Sequence, residues 1–289
     1  MLRCLPPVHS RVEIVADVAD DGRTVLARLK ARGQYAARCT APGTVYLVGT
    51  AAGPLGGDVL EVSVLVRSGA RLAVAGVAAT LVLPGRSGSW AESSVELEVE
   101  DGARLDQAMP PLVVCHRARL RTTTRLSLAG SAAAELIEQV VFGRHSEPGG
   151  DWIGRTVVDR DGTPVLRATQ RSAVLRAAPQ GSGEVRALVS RLIVEPGISP
   201  DAATSGNAVT CPLAAGGVLM TAIGPSLTAA LADSTLPTGP AVIMQSGDIQ
   251  GDIQGDIQPV KLGLLDRSES HDHAGEEGWA SRARWGSTT

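Results

Sequence analysis

Val95, Leu97 and Val99 alternate one for one with Glu96, Glu98 and Glu100. An α-helix would smear both sets around its cylinder. A strand separates them, because successive side chains point to opposite faces. The same period of two recurs through the first two thirds of the chain. Val62, Val64 and Val66 share one face. Ala118, Leu120, Thr122, Thr124, Leu126 and Leu128 line one side of a long segment whose other side carries Arg117, Arg119, Arg121 and Arg125. These are half-solvated strands. Between them lie Asp20-Asp21-Gly22, Pro42-Gly43, Ser68-Gly69, Pro84-Gly85, Asp101-Gly102, Ala129-Gly130 and Asp161-Gly162. Short strands punctuated in this way indicate a sandwich, a barrel or a coil of sheets. Aromatic residues make up only 2% of the chain, so the core must be aliphatic. The same scarcity excludes a base-stacking platform, and a formal net charge of −3 argues against a general nucleic-acid binder.

Ser131–Phe142 is alanine-rich, which favours helix, but its length and flanking glycines predict a strand. The character changes after Gly181-Ser182-Gly183. Ala187–Val194 reads as a strand, Cys211–Ile223 as a short strand, and Ser226–Leu236 as a helix with Ser226 at its N-cap. The expected division is a β-rich part over 1–180, a smaller mixed α/β part or extension of the sheet over 181–246, and a low-complexity tail over 247–289. Gly-Asp-Ile-Gln occurs three times in tandem at the start of that tail, and the polar stretch beyond it predicts disorder.

Gly53-Pro54-Leu55-Gly56-Gly57-Asp58 joins the apolar run 44–48 to the strand that opens at Val59. Three glycines, a proline and a strand-opening acid are more than a tight turn requires. Glu135 and Glu138 interrupt an apolar stretch. If that stretch is a strand they face opposite ways and at least one approaches the interior, where a carboxylate is costly unless paired or serving an ion path. The arginine face at 117, 119, 121 and 125 reads first as one side of a salt ladder with Glu96, Glu98 and Glu100, and second as a docking surface for a phosphate or protein. Cys115-His116 reads as a buried cysteine beside a surface histidine. His271-Asp272-His273 is the densest group of metal-type ligands; in a floppy tail it reads as a weak metal site or as incidental composition.

Cys4, Cys39, Cys115 and Cys211 form no Cys-x-x-Cys pair and are too few for a disulfide framework in a chain of this length. The chain starts without the pattern of a secretory signal, and no apolar run reaches the roughly 18 residues of a membrane helix. A cytoplasmic location with reduced thiols is the expectation. No Gly-x-Ser-x-Gly, His-Glu-x-x-His or phosphate-cradling loop occurs, so no catalytic residue is assigned. A hydrolase or isomerase with Asp58 and Glu138 as acid and base, or a carbohydrate- or protein-binding module, stands as the alternative reading.

Three patterns in order carry a resemblance. The first is the Gly-x-x-Gly-Gly-Asp run and its Val-rich strand ending at Ser68-Gly69-Ala70. The second is Val99 to Leu105, then Pro110-Pro111 and Arg117 to Thr122. The third is Glu138-Gln139-Val140-Val141-Phe142-Gly143-Arg144, followed by Gly154-Arg155 and Asp161 to Leu166. Together they resemble the urease accessory protein UreD family, also called UreH, over roughly residues 35–175 and more weakly to about 240. The resemblance implies a non-enzymatic, mostly β chain: a stacked or helical arrangement of many short strands, with a few helices in a smaller C-terminal part. It also implies a scaffold that binds apo-urease with UreF-like and UreG-like (GTPase) proteins, without nucleic acid or membrane. No tightly bound cofactor is implied; nickel is in transit. Asp58 and Glu138 match acids of the family motifs and become conduit candidates. Gly56, Gly57, Gly143 and Arg144 match its turns. The chain departs from relatives in the Ala- and Val-rich 74–80 segment, which lacks a basic and an aromatic side chain, and in its tail, which implies a truncated or altered C-terminal element.

Overall fold

Every stretch of period-two alternation named above forms a strand, except that Arg117 (φ +62°) and Ala118 belong to the turn before β11, which takes Arg117 off the expected arginine face. The computed structural model describes residues 6–85, 88–177, 184–198, 201–214 and 216–234. The tail, with His271, His273, Trp279 and Trp285, lies outside the described residues, as do the 181–183 boundary and Cys4. The first strands are β1 (His9–Val18), β2 (Thr24–Arg32), β3 (Tyr35–Ala41), β4 (Thr44–Gly49), β5 (Val59–Val66) and β6 (Arg71–Gly76). There follow β7 (Thr80–Val82), β8 (Ala91–Val99), β9 (Arg104–Ala108), β10 (Leu112–Val114), β11 (Arg119–Leu128) and β12 (Ala133–Phe142). The rest are β13 (Asp151–Arg160), β14 (Thr163–Arg171), α1 (Ser172–Ala177), β15 (Ala187–Val194), β16 (Ala203–Ser205), β17 (Ala208–Pro212), β18 (Val218–Gly224) and α2 (Leu227–Asp233).

The chain coils between two sheets. One has seven strands in the order β14-β13-β11-β8-β5-β1-β2. The other has eleven, running β16-β17-β18-β15-β12-β9-β6-β4-β3, with β10 beside β12 and β7 beside β10. Three successive rungs, β5–β6, β8–β9 and β11–β12, pass from the first sheet to the second through matching turns. Ala70 N–H donates to the Arg67 carbonyl at 2.9 Å, Ala103 to Glu100 at 3.0 Å and Ala132 to Ala129 at 2.9 Å. Successive rungs pair in parallel, β5 with β8, β8 with β11, β6 with β9 and β9 with β12. Only a small side chain fits where the turns stack: Ala70, Ala103 and Ala132 are fully or almost fully buried. Acids on each turn hold the adjacent one, Glu100 accepting from Ser68 N–H at 3.0 Å and Asp101 from Ser131 N–H at 2.7 Å.

The alanine-rich segment is the strand β12. Its hydrogen-bonded neighbours β9, β10 and β15 override the helical preference of its alanines. Cys211–Ile223 differs from expectation: it spans two strands, β17 ending at Pro212 and β18 beginning at Val218, which form an antiparallel pair closed by Leu213 N–H donating to the Gly217 carbonyl and Gly216 N–H to the Leu213 carbonyl. With β15 they extend the second sheet. Ser226 caps α2, accepting from Ala229 N–H at 3.2 Å, and Leu227 and Ala230 pack on Ala187 and Val189.

The salt ladder joins the strands expected but in a different register. Arg121 meets Glu92 at 2.9 Å and Arg125 meets Glu96 at 2.8 Å, while Arg119 faces Asp151 at 3.5 Å. Parallel pairing of β8 with β11 aligns Arg121 with Glu92 and Ser127 with Glu98. Glu100 instead serves the turn at Ser68.

Candidate functional site

Inside the coil the hydrophobic core divides in two. One cluster centres on Ile14, Val64, Leu72, Leu97, Leu105 and Leu126. The other centres on Val82, Val114, Leu120, Phe142, Trp152 and Leu188. Between them the inward positions turn polar. On the first sheet, Ser93, Thr122, Gly154 and Gln170 share one register row. On the second sheet, Glu138, Ser190 and Thr221 share another. The two rows touch across the interior: Thr122 Oγ1 donates to Glu138 Oε1 at 3.2 Å, and Gln170 Nε2 donates to Ser190 Oγ at 3.5 Å. A cavity of about 130 Å³ opens onto this belt; Ser93, Thr122, Thr124, Glu138, Thr156 and Ser190 line its polar part, and apolar side chains such as Val62, Val64 and Leu136 of the first cluster line most of the rest. That volume holds several waters.

Glu138 faces inward and Glu135 outward, as alternation along β12 requires. Glu135 is ion-paired with Arg191 at 2.7 Å. Glu138 has no cationic partner among the described residues. It is half-buried, and what remains exposed faces the cavity it lines. Burial pushes its carboxyl up to about 7, against the smaller downward pull of the Thr122 hydroxyl. Near neutrality this group exchanges a proton readily. Among the described residues no three His, Cys, Asp or Glu side chains gather around one point. The ligands beside Glu138 are hydroxyl and amide oxygens, which suit a hard or weakly held cation rather than a closed cage.

Asp58 has different surroundings. Its side chain is 4% exposed and is held by three N–H donors: Val8 N at 2.8 Å, Leu55 N at 2.9 Å and Gln34 Nε2 at 2.9 Å. Gln34 N–H in turn donates to the buried Ser10 Oγ at 3.0 Å. The carboxylate thus ties the β2–β3 turn, the N-terminal segment and the glycine loop together. The loop's glycines have separate reasons. Gly57 sits at φ +101°, where other residues are strained, and Gly56 packs its backbone so close to Gly85 that an added Cβ would lie 2.8 Å from Gly85 N. Asp58 and Glu138 are not brought together. Asp58 lies two residues before Leu60, which aligns with Ser93 and, one strand further, Thr122; the carboxylate is absent from the lining of the cavity. An acid–base pair of the two is not assembled.

Gly143 and Arg144 form a turn away from the cavity. Gly143 N–H donates to the Val114 carbonyl at 2.8 Å. Arg144 grips Glu147 through Nε at 3.1 Å and Nη2 at 2.9 Å, holding the Glu147 carboxyl down at about 2. Arg186 Nη2 ties the turn by donating to the carbonyls of Arg144 and Glu147 at 2.9 and 2.8 Å. Cys115 is buried and His116 exposed beside it. Sequence reasoning found Glu138 but not Gln170, Ser190 or Thr221. Their only signal was hydroxyls and an amide at inward positions of otherwise apolar strands, visible already at Thr122 and Thr124.

Fold and site together define a coiled, two-sheet β scaffold with a polar belt through its interior. The family model of the UreD urease accessory protein matches residues 9–232. Urease accessory protein UreD 2 of Saccharopolyspora erythraea is 34% identical over 239 residues, covering 76% of this chain and 83% of the relative. The UreD of Streptomyces coelicolor is 36% identical over 233 residues, covering 75% and 91%. That of Frankia alni is 36% identical over 203 residues, covering 62% and 68%. The chain belongs to the UreD urease accessory protein family. No described helix is long and apolar enough to cross a membrane.

Proposed function

We propose that the chain is a non-catalytic scaffold of urease maturation in the cytoplasm. It binds apo-urease and the UreF-like and UreG-like accessory proteins, and its polar interior belt passes nickel toward the urease site. The observation that carries this reading is Glu138, a carboxyl without a cationic partner among the described residues, set in a row of hydroxyls that lines part of an otherwise largely apolar cavity. A conduit needs ligands that release what they bind. One carboxylate with a few neutral oxygens holds nickel loosely, because nickel favours imidazole and thiolate over such a set. Asp58 has less to offer a passing ion, since its oxygens already accept three N–H bonds. In this reading it braces the end of the interior that Glu138 lines. The test is co-production of the chain and its Glu138→Gln variant with urease and the accessory proteins, followed by metal analysis of purified urease. The variant should assemble normally but deliver less nickel. Full nickel loading by Glu138→Gln would remove Glu138 from the route.

A further inference from the structure

The outer face of the seven-stranded sheet is split by charge. Its middle strands β5 and β8 carry Glu61, Glu92, Glu96 and Glu98 there, while β11, β13 and β14 carry Arg119, Arg121, Arg125, Arg155, Arg167 and Arg171. The seam between the halves is closed by the Arg121–Glu92 and Arg125–Glu96 pairs. Beyond it, Arg167 is taken by Asp159, and Arg119 faces Asp151, an exposed acid on the same outer face of β13. Arg155 and Arg171 are exposed, with no ion pair or side-chain hydrogen bond among the described residues. They are not scattered. Ile153 aligns with Arg121 on one side and Arg171 on the other, and Arg155 follows it by two residues on the same face. At the end of the row, the Trp90 ring lies under both guanidiniums, 4.7 Å from Arg119 Cζ and 4.5 Å from Arg121 Cζ. The patch therefore has two apolar anchors, Trp90 and Ile153, within a group of four arginines. Tryptophan and arginine are the residue types that dominate binding energy at protein interfaces.

We infer that this patch, Trp90, Arg119, Arg121, Ile153, Arg155 and Arg171, docks an acidic protein surface. Charge decides the class of partner. The basic half is three strands wide, about 15 Å. A nucleic acid or other long polyanion crossing the sheet would run directly onto the four glutamates of β5 and β8. A folded partner with carboxylates grouped over a similar span avoids them. The seam pairs do not compete strongly: their side chains are close to half exposed, and such pairs are worth at most about 1 kcal/mol. Arg121 can turn from Glu92 to a partner's carboxylate at little cost, with its guanidinium still on Trp90.

The partner's place in urease maturation rests on the function proposed above. The experiment measures binding of the full chain to apo-urease, and to the UreF-like and UreG-like proteins, at low and high salt. It compares wild type with the double variant Arg155→Glu/Arg171→Glu. A second double variant, Lys30→Glu/Arg32→Glu, makes the same charge change on β2 at the opposite edge, where both side chains are exposed. Melting curves verify that each variant is folded. For one of these partners, wild-type binding should weaken with salt, the patch variant should bind on the order of tenfold more weakly at low salt, and the β2 variant should bind normally. Equal binding of wild type and patch variant to all three partners, or equal losses in both double variants, overturns the docking surface while leaving the scaffold reading intact. Failure of wild type to bind any of the three overturns both. Heparin binding that is lost in the patch variant, without loss of protein binding, would assign the arginines to a polyanion and overturn the inference.

Discussion

Replacing Glu138 by Gln keeps the size of the side chain and removes its titration. The folded protein holds this carboxyl at about 7, against an ordinary value of 4.5. The folded state therefore binds the proton more tightly than the unfolded one. Its stabilising effect is complete below the unfolded value and is lost as pH rises toward the folded one; above that the cost of a buried carboxylate is constant. The shift corresponds to roughly 3 kcal/mol in full, most of which falls between about pH 5 and about pH 8. Gln carries no such dependence. Urea unfolding of both proteins across that range, at matched ionic strength, isolates the group, because every other titration is common to both. The stability of Glu138→Gln relative to wild type should rise by roughly 2–3 kcal/mol from the acidic to the alkaline end. In thermal melts this corresponds to roughly 5–10 °C. Parallel pH profiles would show that the carboxyl is solvated like a surface glutamate and that the belt does not bury it.

Asp58→Asn turns one acceptor oxygen into a donor facing N–H groups, and should cost about 2–4 kcal/mol in urea unfolding; a loss below about 0.5 kcal/mol would refute the bracing role. Gly56→Ala drives a methyl toward the backbone of Gly85 and Ser89 and should lower the melting temperature by several degrees, about 1–3 kcal/mol of overpacking. A wild-type melt would mean that the loop yields freely. Arg125→Ala removes a surface pair made at 2.8 Å and should change stability by less than about 1 kcal/mol; a larger loss would show the seam to be structural.

What the sequence disclosed depended on range. Alternation is local, so Leu97 against Glu98, or Glu135 against Glu138, could be assigned to opposite faces without knowing any neighbour. The Ser226 cap was legible for the same reason. Partner strands are not local. Nothing near Arg121 specifies Glu92 over Glu96, because the parallel pairing that aligns them is set by rungs about thirty residues apart. The rungs left a trace in the related turns Val66 to Ala70, Val99 to Ala103 and Leu128 to Ala132, whose shared small residue becomes intelligible once the turns are stacked. Asp58 was noticed for its glycines, but its main partner Gln34 lies in the turn between β2 and β3 and carries no pattern of its own. The belt was hardest to read, since its hydroxyls come from strands far apart in the chain and acquire meaning only in one row.

The parallel rungs also shape how the chain comes into being. During synthesis β5 emerges with an edge that waits for β8, and β8 with one that waits for β11, so each newly made layer is an unfinished template for the next. Growth of this kind is ordered from the N-terminus and sluggish, and a stall between layers leaves a sticky border open to neighbouring chains. Ribosomal pausing near residue 110, when the β5–β6 and β8–β9 layers have been made and β11–β12 is missing, is where clumping would begin.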